Sequence, residues 1–251
     1  MFKIETRKAT CQIHGEYESR LLAVFGTKSR WSSCQACNKL KEQVELEKQK
    51  RIDEMNKQHE IESRLNRCGV PPRLKRESFD TFKITNADQK RVFEVAKSFV
   101  DNFKDHQKNG TGLIFSGGTG TGKGHLAAAI AAQTIRNGHS AYYSTLFEMI
   151  MMMRASWSDK EAASESDVLK MLGDVSLLVI DEVGLRAMSE AERGQIFNLI
   201  NRRYENLKPT ILTTNLASNE LEKVLGERSF SRLIEVSNWV SFKGIEDYRA
   251  L

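Results

Sequence analysis

Gly117-Gly118-Thr119-Gly120-Thr121-Gly122-Lys123 stands between an apolar strand-like run, Leu113-Ile114-Phe115, and an Ala-rich helical run from His125 to Arg136. Glycines at this spacing let successive backbone N–H groups turn toward a phosphate. The helix that follows adds its positive dipole end, and a lysine side chain can reach the β and γ oxygens of a nucleotide. The strand-loop-helix context makes this a phosphate cradle rather than a flexible turn, and it selects Gly117, Gly118, Thr119, Gly120, Thr121, Gly122, Lys123, Gly124 and His125 as ATP-binding residues. One position departs from the pattern. Where a Ser or Thr ordinarily follows the lysine and offers its hydroxyl to Mg²⁺, the chain has Gly124, with no side-chain oxygen. The metal then needs a water or another residue there, so ATP binding with weakened Mg²⁺ dependence and slow turnover is expected.

A second strand-like run, Leu177-Leu178-Val179-Ile180, leads into Asp181-Glu182. Adjacent carboxylates at the carboxyl tip of a buried strand form a Walker B arrangement, with Asp181 holding the Mg²⁺ shell and Glu182 polarising the attacking water. A further run, Thr210 to Thr214, ends at Asn215, whose amide can orient that water. Downstream, Arg228 and Arg232 lie four residues apart and so share one helix face, from which one can reach a neighbour's bound nucleotide. Arg232 is the choice for this catalytic finger and Arg228 the reserve; surface ion pairing of both is the alternative.

Cys11-Gln12-Ile13-His14 and Cys34-Gln35-Ala36-Cys37 are two ligand pairs with tetrahedral-zinc spacing. Three thiolates and one imidazole close the coordination shell, which makes a Zn²⁺ site at Cys11, His14, Cys34 and Cys37 structural; disulfide pairing is the alternative, one that a reducing cytoplasm disfavours. A head this short builds little core, so metal binding is expected to fold it. Between the pairs sit Tyr17, Arg20, Phe25, Lys28, Arg30 and Trp31, a mixture that suits stacking on single-stranded nucleic acid and the small core of a zinc ribbon equally well. Cys68 falls outside the pattern and reads as a free thiol.

The elements that must position these residues follow from the rest of the 251-residue chain. Its 40% apolar and 28% charged residues, with no apolar run near the 18 or so needed to span a bilayer, exclude a helical membrane protein. The charged start, Met1 to Lys8, lacks a secretory apolar stretch, so a cytoplasmic location is expected. Of the net charge of +5, residues 1 to 76 carry an excess of positive charge, 17 Lys+Arg against 10 Asp+Glu. That excess suits a polyanion such as nucleic acid, and a solvated basic surface accounts for it as well. Three segments separate on composition: a zinc-binding module over 1–39, a charged helical linker over 40–77, and an ATPase domain over 78–251. In the last, Ala141-Tyr142-Tyr143 precedes a helical run from Leu146, and Ser189-Glu190-Ala191-Glu192 supplies a capping box for a helix over 190–204. Alternation of this kind predicts an α/β fold, a P-loop NTPase with a parallel sheet between helices.

Residues from about Leu65 onward resemble the DnaC/IstB family of AAA+ ATPases, and within it the DnaC-type replicative helicase loaders. The resemblance is carried by Cys68-Gly69-Val70-Pro71-Pro72-Arg73, Ser78-Phe79-Asp80-Thr81-Phe82, Phe115 to Leu126, Leu177 to Glu182 and Gly226 to Leu233. The tail, Ser237 to Phe242 and Asp247-Tyr248-Arg249, fits too. Asn215 then looks like the family's sensor residue. The 36 residues after it are too few for a full helical lid, which this family similarly lacks. The resemblance implies a homo-oligomer, a ring or spiral, that assembles on single-stranded DNA and delivers a DnaB-type helicase. ATP is then the switch, and the zinc head and charged helix are candidates for the helicase contact. A zinc-headed version looks like those of phages and prophages. The Met-rich run Met149 to Met153 with Arg154 falls where loaders carry a DNA-touching insertion, although such methionines serve core or interface as readily. Two other readings stay open: an IstB-like transposition helper ATPase, and a zinc-ribbon DNA-binding adaptor whose ATP site is structural only.

Overall fold

In the computed structural model, which describes residues 5–22, 29–158 and 164–248, the chain divides into two compact units, Met1–Glu60 and Ile61–Leu251. Phe25, Lys28 and Arg249 lie outside the described residues. In the first unit, β1 (Thr6–Cys11), β2 (Gly15–Leu22) and β3 (Arg30–Trp31) form an antiparallel sheet in the order β1-β2-β3. The β1–β2 register closes at Cys11 opposite Gly15, which leaves Gln12 to His14 as the turn. Helix α1 (Gln35–Arg67) follows and runs on into the second unit. Its Glu, Lys, Gln and Arg residues are good helix formers with no Gly or Pro among them. No α1 residue is buried, and Leu40, Val44, Ile52 and Met55 are exposed.

The second unit runs α2 (Ala87–Asp101), α3 (Phe103–Asn109), β4 (Gly112–Ser116), α4 (Lys123–Arg136), β5 (Ala141–Thr145), α5 (Leu146–Ser158), α6 (Glu165–Asp174) and β6 (Leu177–Val183). It continues through α7 (Glu190–Glu205), β7 (Thr210–Thr214), α8 (Ser218–Leu225), α9 (Glu227–Val236) and β8 (Ser237–Ser241). The strands pair in parallel in the order β5-β6-β7-β4-β8. Because side chains alternate across a strand, the apolar runs feed two cores. Leu113, Phe115, Val179 and Ile211 face one, with Phe99 of α2 and Leu126 and Ile130 of α4. Ile114, Leu178, Ile180 and Leu212 face the other, with Met149, Leu172, Ile196 and Leu199 from α5, α6 and α7. Each such side chain, fully buried, contributes roughly 1.5–3 kcal/mol. The expected α/β sandwich is present, and the chain after Asn215 forms two short helices and an edge strand in place of a lid.

Strand β8 was not legible as a strand: Ser237-Asn238-Trp239-Val240-Ser241 has no apolar run. At the edge of the sheet only its Val240 is buried, so no run is needed. The helix start at Ser189 is as expected, with Glu192 N–H donating to Ser189 Oγ at 3.3 Å and Ser189 N–H to Glu192 Oε2 at 2.7 Å. Glu192 does more than cap. Its buried carboxylate also accepts from Arg186 at 2.7 Å and pairs with Arg154 of α5 at 3.0 Å, and the Arg186 guanidinium holds it down to about 2. Deeper in α7, the fully buried Arg203 donates to the carbonyls of Leu172, Val175 and Pro209 and to Thr210 Oγ1, tying α6 and β7 to the helix.

Candidate nucleotide and metal sites

At the carboxyl ends of β4, β6 and β7, where parallel sheets place ligands, lies a cavity of about 530 Å³. Thr119 to His125, Asp181, Glu182 and Asn215 line it together, so residues from three separate sequence segments converge. The loop from Gly117 to Gly122 connects β4 to α4, and Lys123 begins the helix. Its ammonium is nearly buried and donates to the carbonyls of Gly117 and Gly118 at 2.8 and 2.6 Å. Thr121 is buried, and its hydroxyl donates to the Gly118 carbonyl at 2.9 Å, bracing the loop from within. Two glycines are required by their backbone. Gly120 and Gly122 have φ of +69° and +92°, and a Cβ on them would collide with Asp247 and Phe82. His125 lines the cavity, but its ring nitrogens face Ser78 O at 2.7 Å and Glu77 Oε2 at 2.9 Å rather than the loop.

The two carboxylates owe their positions to an irregularity. Between Ile180 and Val183 the β6–β7 register shifts, and Glu182 adopts φ of +58°, a backbone conformation rare for a non-glycine residue. Strain of this kind costs of order 1–3 kcal/mol and gathers at functional sites. The bulge leaves Glu182 exposed to the cavity, with its N–H donating to Thr213 Oγ1 at 3.2 Å. Asp181 is half-buried and accepts from two hydroxyls, Thr213 on Oδ1 and Tyr143 on Oδ2. Neither hydroxyl was singled out in the sequence. Thr213 sits two residues before Asn215, and its polar side chain at that strand tip is a signal that could have found it; Tyr143, one strand further out, offers none.

Arg228 and Arg232 are not brought to this cavity within the chain. Arg232 is half-buried, its guanidinium 4.6 Å from the Phe197 ring and 5.8 Å from that of Tyr204. Its buried Nη1 has no hydrogen-bond partner. Arg228, one turn earlier, is exposed. On α5, Met149 and Met153 are buried in the core while Phe147 and Met151 are exposed, so the Met-rich run divides between packing and surface.

In the first unit Cys11, His14, Cys34 and Cys37 come together, their ligand atoms all within 4.8 Å of one another. His14 Nδ1 stands 3.7, 3.7 and 3.3 Å from the sulfurs of Cys11, Cys34 and Cys37, and the Cys11 and Cys37 sulfurs are 3.5 Å apart. A tetrahedron with the usual Zn–S and Zn–N bond lengths has edges of about 3.5–3.8 Å, so the four residues fit zinc. Backbone N–H groups of Ile13 and His14 hold the Cys11 thiol down to about 6, in the direction of the thiolate that binds metal. Of the aromatic and basic residues between the pairs, Trp31 lies under the Arg7 guanidinium at 4.3 Å and Tyr17 donates to Ser32 O at 3.4 Å, contacts internal to the module.

Loop, paired acids and sheet define a P-loop nucleotide-binding α/β protein. The model of the IstB-like ATP binding proteins matches residues 22–249, and the chain belongs to that family: it is an AAA+ P-loop ATPase that binds ATP. It is 32% identical over 200 residues to the replicative helicase loader DnaC of Escherichia coli (strain K12), covering 79% of this chain and 80% of that protein. It is 30% identical over 228 residues to protein YdaV of the same strain, covering 89% and 86% respectively. Among solved structures, the crystal structure of the DnaC helicase loader superposes with a TM-score of 0.62 at 29% identity, over 70% of this chain and all of that one. No helix among the described residues is long and apolar enough to cross a membrane.

Proposed function

We propose that this ATPase loads a DnaB-type replicative helicase onto single-stranded DNA, with bound ATP as the switch. The reading is carried by its likeness to DnaC, a replicative helicase loader by name, across 79% of the chain. In the cavity, Lys123 and the loop N–H groups bind the phosphates, Glu182 polarises the attacking water and Asn215 orients it. Mg²⁺ fits beside Asp181, where it would neutralise charge on the phosphates. Arg232, or the more exposed Arg228, serves a neighbouring copy's nucleotide in a homo-oligomer. Zn²⁺ held by Cys11, His14, Cys34 and Cys37 folds the module over 1–39, and this module with the charged linker over 40–77, which contains most of α1, contacts the helicase. The domain over 78–251 carries the ATPase, and the N-terminal positive charge favours DNA nearby. A cytoplasmic protein encoded by a phage or prophage fits the zinc-headed form.

The family description favours a second reading, a transposition helper of the IstB kind. Co-purification of the tagged protein, in ATP, with its host's DnaB-type helicase or with a transposase separates the two. A stoichiometric helicase complex is expected; a transposase complex without a helicase complex would overturn the loader reading.

A further inference from the structure

Gly124 leaves the phosphate loop one hydroxyl short, and a hydroxyl from another strand reaches the same place. A Cβ on Gly124 would stand 3.4 Å from the Tyr143 hydroxyl oxygen and 3.5 Å from Asp181 Oδ2. Tyr143, the third residue of β5, is fully buried and does not line the cavity. Its hydroxyl donates to Asp181 Oδ2, while that of Thr213 donates to Oδ1. Both oxygens of the carboxylate are thus fixed by hydroxyl donors, and each keeps a second lone pair for the cavity side.

We propose that Tyr143 is a positioning residue for the divalent cation of this site: its hydroxyl takes over from the absent Ser/Thr hydroxyl the fixing of Asp181, and the direct ligand position is left to water. The inference rests on the nucleotide-site reading above. Packing alone does not call for a tyrosine, since a phenylalanine ring fills the same buried space; what the hydroxyl adds is a charge-assisted hydrogen bond to a carboxylate, about twice as strong as a neutral one. A phenol is protonated at neutral pH, so the Tyr143 hydroxyl is available as a donor to Asp181. Gly124 is the other half of the arrangement, because a Cβ there would touch the hydroxyl and Asp181 together at ordinary contact distance, the place from which a Ser or Thr hydroxyl would otherwise act. The weakened metal dependence expected from Gly124 alone then belongs to a variant that lacks both hydroxyls.

The test is the Mn²⁺ affinity of the full-length protein bound to a non-hydrolysable ATP analogue, read by electron paramagnetic resonance, beside nucleotide affinity in EDTA. Tyr143→Phe is expected to weaken Mn²⁺ binding about tenfold without weakening metal-free nucleotide binding, and adding Gly124→Ser to it is expected to restore Mn²⁺ binding. Undiminished Mn²⁺ affinity in Tyr143→Phe would overturn the proposal. So would a loss that Gly124→Ser leaves unrepaired, or an equal loss of metal-free nucleotide binding. Should Tyr143→Phe fail to fold, Gly124→Ser alone decides: the parent already has a hydroxyl at this point, so little gain is expected, and a tenfold or larger gain would show that the site lacked one. A parent that binds no nucleotide at all would instead overturn the ATP-site reading, a separately visible result.

Discussion

Glu182→Gln is expected to lower ATP turnover by about 10²–10⁴-fold, the usual contribution of a positioned general base, while ATP binding persists. The side chain is at the tip of β6, exposed to the cavity, and its position depends on a bulge and a left-handed backbone that no other residue of the strand adopts. Glutamine has the same length and the same hydrogen-bonding reach but cannot take a proton from water. The phosphate contacts come from Lys123 and the loop, on a different element, so ground-state binding does not depend on the Glu182 charge. Phosphate release measured beside calorimetric ATP affinity checks this. Turnover retained within about tenfold would remove Glu182 from the base role.

On the proposed zinc site, Cys34→Ser is expected to abolish zinc binding and the three-stranded sheet β1-β2-β3, with ATP binding retained. Structural zinc supplies about 10–16 kcal/mol of apparent binding free energy in small modules, far more than any packing this head possesses. Among the described residues of the first unit only Ser19 and Cys34 are buried, and α1 buries nothing. With one thiolate gone, a three-ligand shell opens to water and the antiparallel strands have no core to hold them together. Metal content by atomic absorption, together with limited proteolysis of the N-terminal segment, reads the outcome. Stoichiometric zinc and an undigested head in Cys34→Ser would mean that the four residues do not form the site.

Much of the nucleotide site was legible because its chemistry is local. The glycine spacing before Lys123, the apolar run into Asp181-Glu182 and the polar end of the Thr210–Thr214 run each carry their signal within a few residues. The Cys and His pairs are legible for the same reason, and the structure gathers all four. What stayed hidden depends on tertiary proximity. Tyr143 reads as one more strand aromatic until the fold sets its hydroxyl against Asp181 and the vacant side of Gly124. Edge strand β8 needs only one buried residue and so shows no apolar run. Arg154, considered for DNA, also pairs with the buried Glu192 carboxylate, a partner 38 positions away that no local pattern announces.

ATP turnover by the purified protein, measured with and without single-stranded DNA and its host's DnaB-type helicase, tests the central claim most directly. The account predicts slow basal turnover that changes when DNA or helicase is added, together with a stable helicase complex. Tight ATP binding with no turnover under any condition and no helicase complex would contradict it, and would leave a zinc-bearing adaptor with a structural nucleotide in its place.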